Sequence, residues 1–128
     1  MDFMGVNPGG YVFSQRQLRV GELLKKLLSD LFLKEEVVLP NIRTKNITIT
    51  EVRMSPDLKH AKIFFMPLAG LNSENTQAAL IEYKSQIKFK VSQQWRNKFL
   101  PSLNFVLDES FDYAEKIEKI ILENKKHA

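Results

Sequence analysis

From Ile47 to Met54 and again from Ala61 to Met66 the chain is dense in β-branched and aromatic residues, and Ser55-Pro56-Asp57-Leu58 lies between the two runs. This predicts a β-hairpin: Pro56 presets φ for the second position of a tight turn, and the Ser55 or Asp57 side chain can bond nearby backbone N–H groups. Alternation fails at one place. Ile47 and Ile49 fall on one face of an ideal strand and Val52 and Met54 on the other, so a core holding all four needs a bulge near Thr50 or Glu51. On the return strand Ala61, Ile63 and Phe65 form the predicted core face. Phe64 and Met66, opposite them, offer a stacking surface for nucleic acid or a second face partly covered by another segment, and general burial tendency favours the second.

Helical periodicity flanks the hairpin. Ser14-Gln15-Arg16-Gln17 has the spacing of a capping box and opens a helix predicted to reach about Leu33. At 100° per residue Val20, Leu23, Leu24, Leu27, Leu28 and Leu31 fill one broad arc, with Gln15, Arg19, Glu22, Lys26 and Ser29 opposite. Residues 34–45 read as a connection with one extended piece at Val37 to Leu39, and Asn72 or Ser73 as the next N-cap. From Glu74 to about Phe99 neither proline nor glycine intervenes. One unbroken helix there would be about 39 Å long, against a diameter of roughly 34 Å for a compact domain of this size. A break is therefore expected at Tyr83-Lys84-Ser85, where Ser85 can bond backbone groups freed by a bend. Trp95, near Val91 in helical phase, reads as a core anchor. Leu103, Phe105 and Leu107 alternate as a third strand. A last helix is predicted after Asp108-Glu109-Ser110, with Ala114, Ile117, Ile120 and Ile121 as its apolar stripe.

The 128 residues fit one domain, and 44% apolar content excludes a disordered chain. The absence of cysteine removes disulfides, thiolate nucleophiles and cysteine-based zinc sites. His60 and His127 are far apart in sequence, and no metal or other cofactor is expected. The N-terminus has no basic n-region, and no apolar run approaches the ~18 residues that span a bilayer. The reading is a soluble, cytoplasmic protein with no membrane partner. A net charge of +4 makes a polyanionic partner plausible without identifying one.

Three blocks then narrow the reading. Arg16-Gln17-Leu18-Arg19-Val20-Gly21-Glu22-Leu23 opens the first helix, Ile49 to Leu58 with Ala61 spans the hairpin turn, and Pro101 to Phe105 leads into Asp108-Glu109-Ser110. In this order they resemble the ribosome-binding factor A family over about Ser14 to Leu122. The resemblance implies an α+β fold, a single KH-like domain of type II with order α-β-β-α-kink-α-β plus a C-terminal helix, its three-stranded sheet covered by helices on one face. The organisation expected is a flexible N-terminal arm at 1–13, a KH-like RNA-binding domain at 14–124 and a short basic C-terminal tail at 125–128. The family lacks the KH signature glycine loop and joins its two helices through an Ala-x-Gly kink, where this chain has Tyr83-Lys84-Ser85.

The implied function is that of a non-catalytic assembly factor that binds the small (30S) ribosomal subunit and 16S rRNA and assists late maturation and pre-rRNA processing, with no small-molecule substrate, as a monomer. Lys88 is carried over from the position just after the family's kink, and Arg96 and Lys98 from its basic stretch before the proline. Lys88, Lys90, Arg96 and Lys98 accompany Trp95 and Phe99, and such interleaving suits phosphate contact and base stacking; Arg16, Arg19, Lys26, Arg43, Lys45, Lys84 and Ser85 complete the expected RNA-binding set. The alternative is a protein-interaction module that pairs its Leu-rich first helix with another chain and makes no direct RNA readout. The motifs that would signal an enzyme, a nucleophile elbow or a phosphate-cradling glycine loop, are absent from the sequence.

Overall fold

The computed structural model describes residues 3–6 and 12–109. Among them the elements run β1 (Phe3–Val6), β2 (Val12–Ser14), α1 (Gln15–Leu33), β3 (Ile47–Met54), β4 (His60–Pro67), α2 (Ser73–Glu82), α3 (Lys84–Ser92) and β5 (Ser102–Leu107). The C-terminal helix and basic tail expected from the sequence lie outside the described residues. Part of the segment read as a flexible arm is strand, since β1 and β2 pair antiparallel.

The hairpin forms as its sequence dictates. β3 and β4 pair antiparallel with a register shift between Ile49 and Glu51, so Thr50 is the extra residue. That bulge brings Ile47, Ile49, Val52 and Met54 onto the core side, with Val52 only partly buried. In the turn the Leu58 N–H donates to the Ser55 carbonyl, and Asp57 Oδ1 accepts from the Ser55 hydroxyl at 2.6 Å and the Lys59 N–H at 3.0 Å. β5 lies parallel to β4, which the helical crossover through α2 and α3 permits. The parallel register sets Ala61 beside Leu103 and Ile63 beside Phe105. These alternate residues are all buried, and each large side chain contributes about 1.5–3 kcal/mol of apolar transfer free energy.

α1 starts at the predicted capping box: Ser14 Oγ accepts the Gln17 N–H at 3.2 Å and Gln17 Oε1 accepts the Ser14 N–H at 2.8 Å. Gln17 is itself buried, and its amide donates to the Met54 carbonyl at 2.9 Å. The same helix lays Leu24, Leu27, Leu28, Leu31 and Phe32 against the sheet. Leu23, expected in that arc, is 45% exposed because it flanks the buried stripe. After Lys34 caps the helix, Glu35 takes a left-handed conformation and Glu36 donates to Leu31, the pattern of a Schellman stop. Thr44, buried below, donates to the Phe32 carbonyl at 2.9 Å, which also accepts the Glu35 N–H at 3.1 Å.

Two local expectations are corrected, and a third, an N-cap of α2 at Asn72 or Ser73, is met at Asn72 without the side-chain bond. Val37 to Leu39 is not a strand; the segment has a single bridge, Leu39 to Ile42, while Val37 and Leu39 bury their side chains. Asn72 occupies the N-cap position of α2 in a left-handed conformation and makes no side-chain capping bond. The helical stretch predicted to reach Phe99 ends at Ser92, where the Ser92 hydroxyl turns back onto the Phe89 carbonyl and Gln94 closes a tight turn on Val91. In the loop that follows, Trp95 still packs at the edge of the core.

The helix break falls in the expected tripeptide, at Tyr83, with φ −98° and ψ 18°. This negative φ is open to any residue, so no glycine is needed there. Ser85 has no role in the break: its side chain makes no hydrogen bond among the described residues.

Candidate nucleic-acid interface

Five arginines occur in the sequence, and the fold divides them into two kinds. Arg43 makes a two-point contact with Glu35, Nε to Oε1 at 2.9 Å and Nη2 to Oε2 at 3.1 Å. Arg53 grips Glu51 in the same way at 3.0 and 3.1 Å. Both guanidinium forks are thereby occupied. Arg16, Arg19 and Arg96 are exposed and make no hydrogen bond or ion pair among the described residues.

Arg16 and Arg19 converge on one groove of about 320 Å³ between the first turns of α1, the β3–β4 turn and the irregular loop 93–101. Lys98 joins them, while Trp95 and Phe99 supply aromatic surface and Leu23 part of the apolar wall. The loop is fixed by the Trp95 indole N–H, which donates to the Phe99 carbonyl at 2.8 Å. Phe99 is 61% exposed, with the Lys98 ammonium 5.3 Å from its ring centroid. Asp57 is the groove's acid. The Ser55 hydroxyl, and after it the Lys59 N–H, hold its carboxyl below the usual carboxylate range.

The remaining expected residues lie elsewhere. Lys26 follows Arg19 by seven residues, two turns or about 10.5 Å along the same face of α1. Arg96 is in the loop but does not line the groove. Lys84, Ser85 and Lys88 sit on α3, with Lys84 half-buried and the other two exposed. Arg43 and Lys45 precede β3, roughly 24 Å of strand from the turn that borders the groove. Glu35, hydrogen-bonded by Arg43, is pushed below the ordinary carboxylate range, and Arg43 is pushed up by the same contact.

One surface went unread in the sequence, and a second, the face of Phe64, is covered by a device the sequence reading did not name. Phe89 is 60% exposed on α3, about 180° in phase from the buried Ile87 and Val91, an offset that helical spacing alone could have flagged. On the open face of the sheet, Arg53 and Lys62 lie 4.8 and 5.6 Å from the Phe64 ring centroid. This cover comes from the neighbouring cations of β3 and β4, and the ring is half-buried. Among the described residues no group of three metal-ligating side chains is assembled, and no helix is long and apolar enough to cross a membrane. His60 bonds Ser102 across the β4–β5 ladder at 2.8 Å.

Fold and surface together define the class: a small KH-like α+β domain that carries, along α1, α3 and the loop before β5, cations without a partner among the described residues. The family model for ribosome-binding factor A matches residues 16–121, and the chain belongs to that family. It is 44% identical over 117 residues to the ribosome-binding factor A of Pelagibacter ubique, covering 91% of this chain and 96% of that one. The crystal structure of ribosome-binding factor A from Thermus thermophilus aligns with a TM-score of 0.60 at 20% identity, over 71% of this chain and 94% of the other. A homology model of the Thermus thermophilus factor, fitted into the cryo-EM map of a 30S complex, gives 0.60 at 18% identity, over 73% and 96%. At such identities these two likenesses bear on the fold.

Proposed function

We propose that the chain is a non-catalytic assembly factor that binds the small ribosomal subunit and its 16S rRNA and assists late maturation and pre-rRNA processing. The observation that carries this reading is the family match across residues 16–121, together with a homologous factor fitted into a 30S complex. The cations that have no partner among the described residues support it, because phosphate contact needs guanidinium and ammonium groups that no carboxylate already holds. Binding by such a surface favours whichever rRNA conformation fits it, through differential affinity and without bond chemistry. The protein acts as a cytoplasmic monomer: Leu24, Leu27, Leu28, Leu31 and Phe32 are spent on the internal core, leaving no broad apolar stripe on α1 for a partner helix. In domain terms, residues 14–124 form the RNA-binding unit, flanked by the arm and the basic tail.

Sedimentation with purified small subunits tests the reading. Wild-type binding should weaken steeply as salt rises, and the doubly charge-reversed variant Lys88→Glu, Arg96→Glu should lose most of it while keeping its circular dichroism. Salt-independent binding, or binding unaltered in the double variant, would refute the phosphate-contact account.

A further inference from the structure

We infer that the groove between α1, the β3–β4 turn and loop 93–101 receives one unpaired nucleotide of single-stranded RNA, its base stacked on Phe99 and its phosphate held by Arg16 and Arg19. This rests on the RNA-binding reading and specifies the form of RNA one part of the surface takes. Size is the first argument. A groove of about 320 Å³ lies at the small end of ligand sites, and a duplex, which presents a wide shallow minor groove and stacked bases, cannot enter it.

Chemistry is the second. An extruded nucleotide needs a flat apolar surface for its base and a fork of donors for its phosphate. Phe99 offers the first, its ring largely open and its backbone anchored by Trp95. Arg16 and Arg19 offer the second, both without internal partners among the described residues, unlike Arg43 and Arg53. Lys98, now over the Phe99 ring at 5.3 Å, is displaced from the ring by the incoming base and remains close enough to meet the next phosphate. The one carboxylate in the groove does not oppose this. Asp57 Oδ1 already accepts from Ser55 and Lys59, which ties the group into the turn. KH domains clamp single strands with the glycine loop between two helices. Here the corresponding break at Tyr83 does not line the groove, so the site is a separate one.

The test measures fluorescence anisotropy of a labelled, unstructured oligouridylate and of a blunt RNA duplex against the full chain. Phe99→Ala should weaken oligouridylate binding about 5- to 150-fold, the range that loss of one base–aromatic stack corresponds to. Phe99→Tyr should stay within about twofold, since it keeps the ring, and duplex binding should be the same in all three proteins. The double variant Arg16→Gln, Arg19→Gln should reduce the salt slope on the single strand by about 0.7, the share of one phosphate. Equal affinity of Phe99→Ala and wild type, equal losses for alanine and tyrosine, or a matching loss on the duplex would overturn the assignment. So would Phe99-dependent capture of a polyglutamate peptide as strong as that of the RNA. Small-subunit sedimentation of the wild type, run alongside, separates the two levels: retained particle binding with an indifferent Phe99 sinks only the groove, and lost particle binding sinks the RNA reading itself.

Discussion

A Cβ placed on Gly21 would lie 2.8 Å from the carbonyl oxygen of Val52, closer than side-chain carbons approach backbone oxygens in folded proteins. The missing side chain lets α1 rest directly on β3, one turn after Gln17 reaches Met54 on the same strand. Gly21→Ala should therefore lower stability by about 1–3 kcal/mol, the cost of overpacking, although alanine is the better helix former by about 1 kcal/mol. Urea denaturation gives the sign; a more stable variant would mean that α1 can lift from the strand at no cost.

Gln17 links helix start to sheet through two bonds from one amide. Gln17→Ala removes the Oε1 acceptor for Ser14 and the donor for Met54, and should cost about 1–3 kcal/mol because a buried carbonyl loses its partner. Gln17→Glu restores the acceptor alone and should not rescue. Thermal unfolding of the three proteins decides; a variant as stable as wild type would show that water replaces the lost donor.

The Glu35–Arg43 pair predicts an acid-side effect. Because the folded pKa of Glu35 is depressed, the pair's contribution is complete above the ordinary carboxylate value and is lost as pH falls through the lower folded value. An NMR titration should show the Glu35 midpoint moving up in Arg43→Ala. The melting temperature at neutral pH should hardly change, since the Arg43 side chain is exposed and that of Glu35 is 34% accessible. A midpoint that stays put would mean that another group holds Glu35 down.

Ser85→Gly restores the family's glycine at the third position of the break, yet in this chain Ser85 lies inside α3 and the break is made by Tyr83. The substitution should lower stability by about 0.5 kcal/mol, the difference in helix propensity between the two residues. A gain would show strain at Ser85 that its helical position does not suggest.

Trp95→Phe keeps the aromatic body and deletes the N–H that ties Phe99. Amide exchange at residues 96–99 should quicken while the β-sheet amides remain protected, with a stability loss of about 0.5–1 kcal/mol. Unchanged exchange would mean that the loop is held by packing alone.

The hairpin, its bulge, the capping box and the location of the helix break were legible because each is set by residues within a few positions of one another: Pro56 fixes its own φ, Ser14 and Gln17 satisfy each other, and Ile49 and Val52 cannot share a face without an extra residue between them. The basic residues were legible as a set, but their sorting was not. Arg43 and Arg53 look like Arg16 and Arg19 in sequence. Only the fold puts Glu35 against Arg43, and the same fold carries Lys98 and Phe99 from the far end of the sequence to the first turn of α1. The end of α3 at Ser92 escaped periodicity, since helical spacing continues through Trp95 while the chain there is a loop in which the indole N–H donates to the Phe99 carbonyl. Short-range sterics and periodicity are written along the chain. Which charges are neutralised, and which aromatic ring stays open, depends on contacts between segments many residues apart, and those exist only once the helices have closed over the sheet.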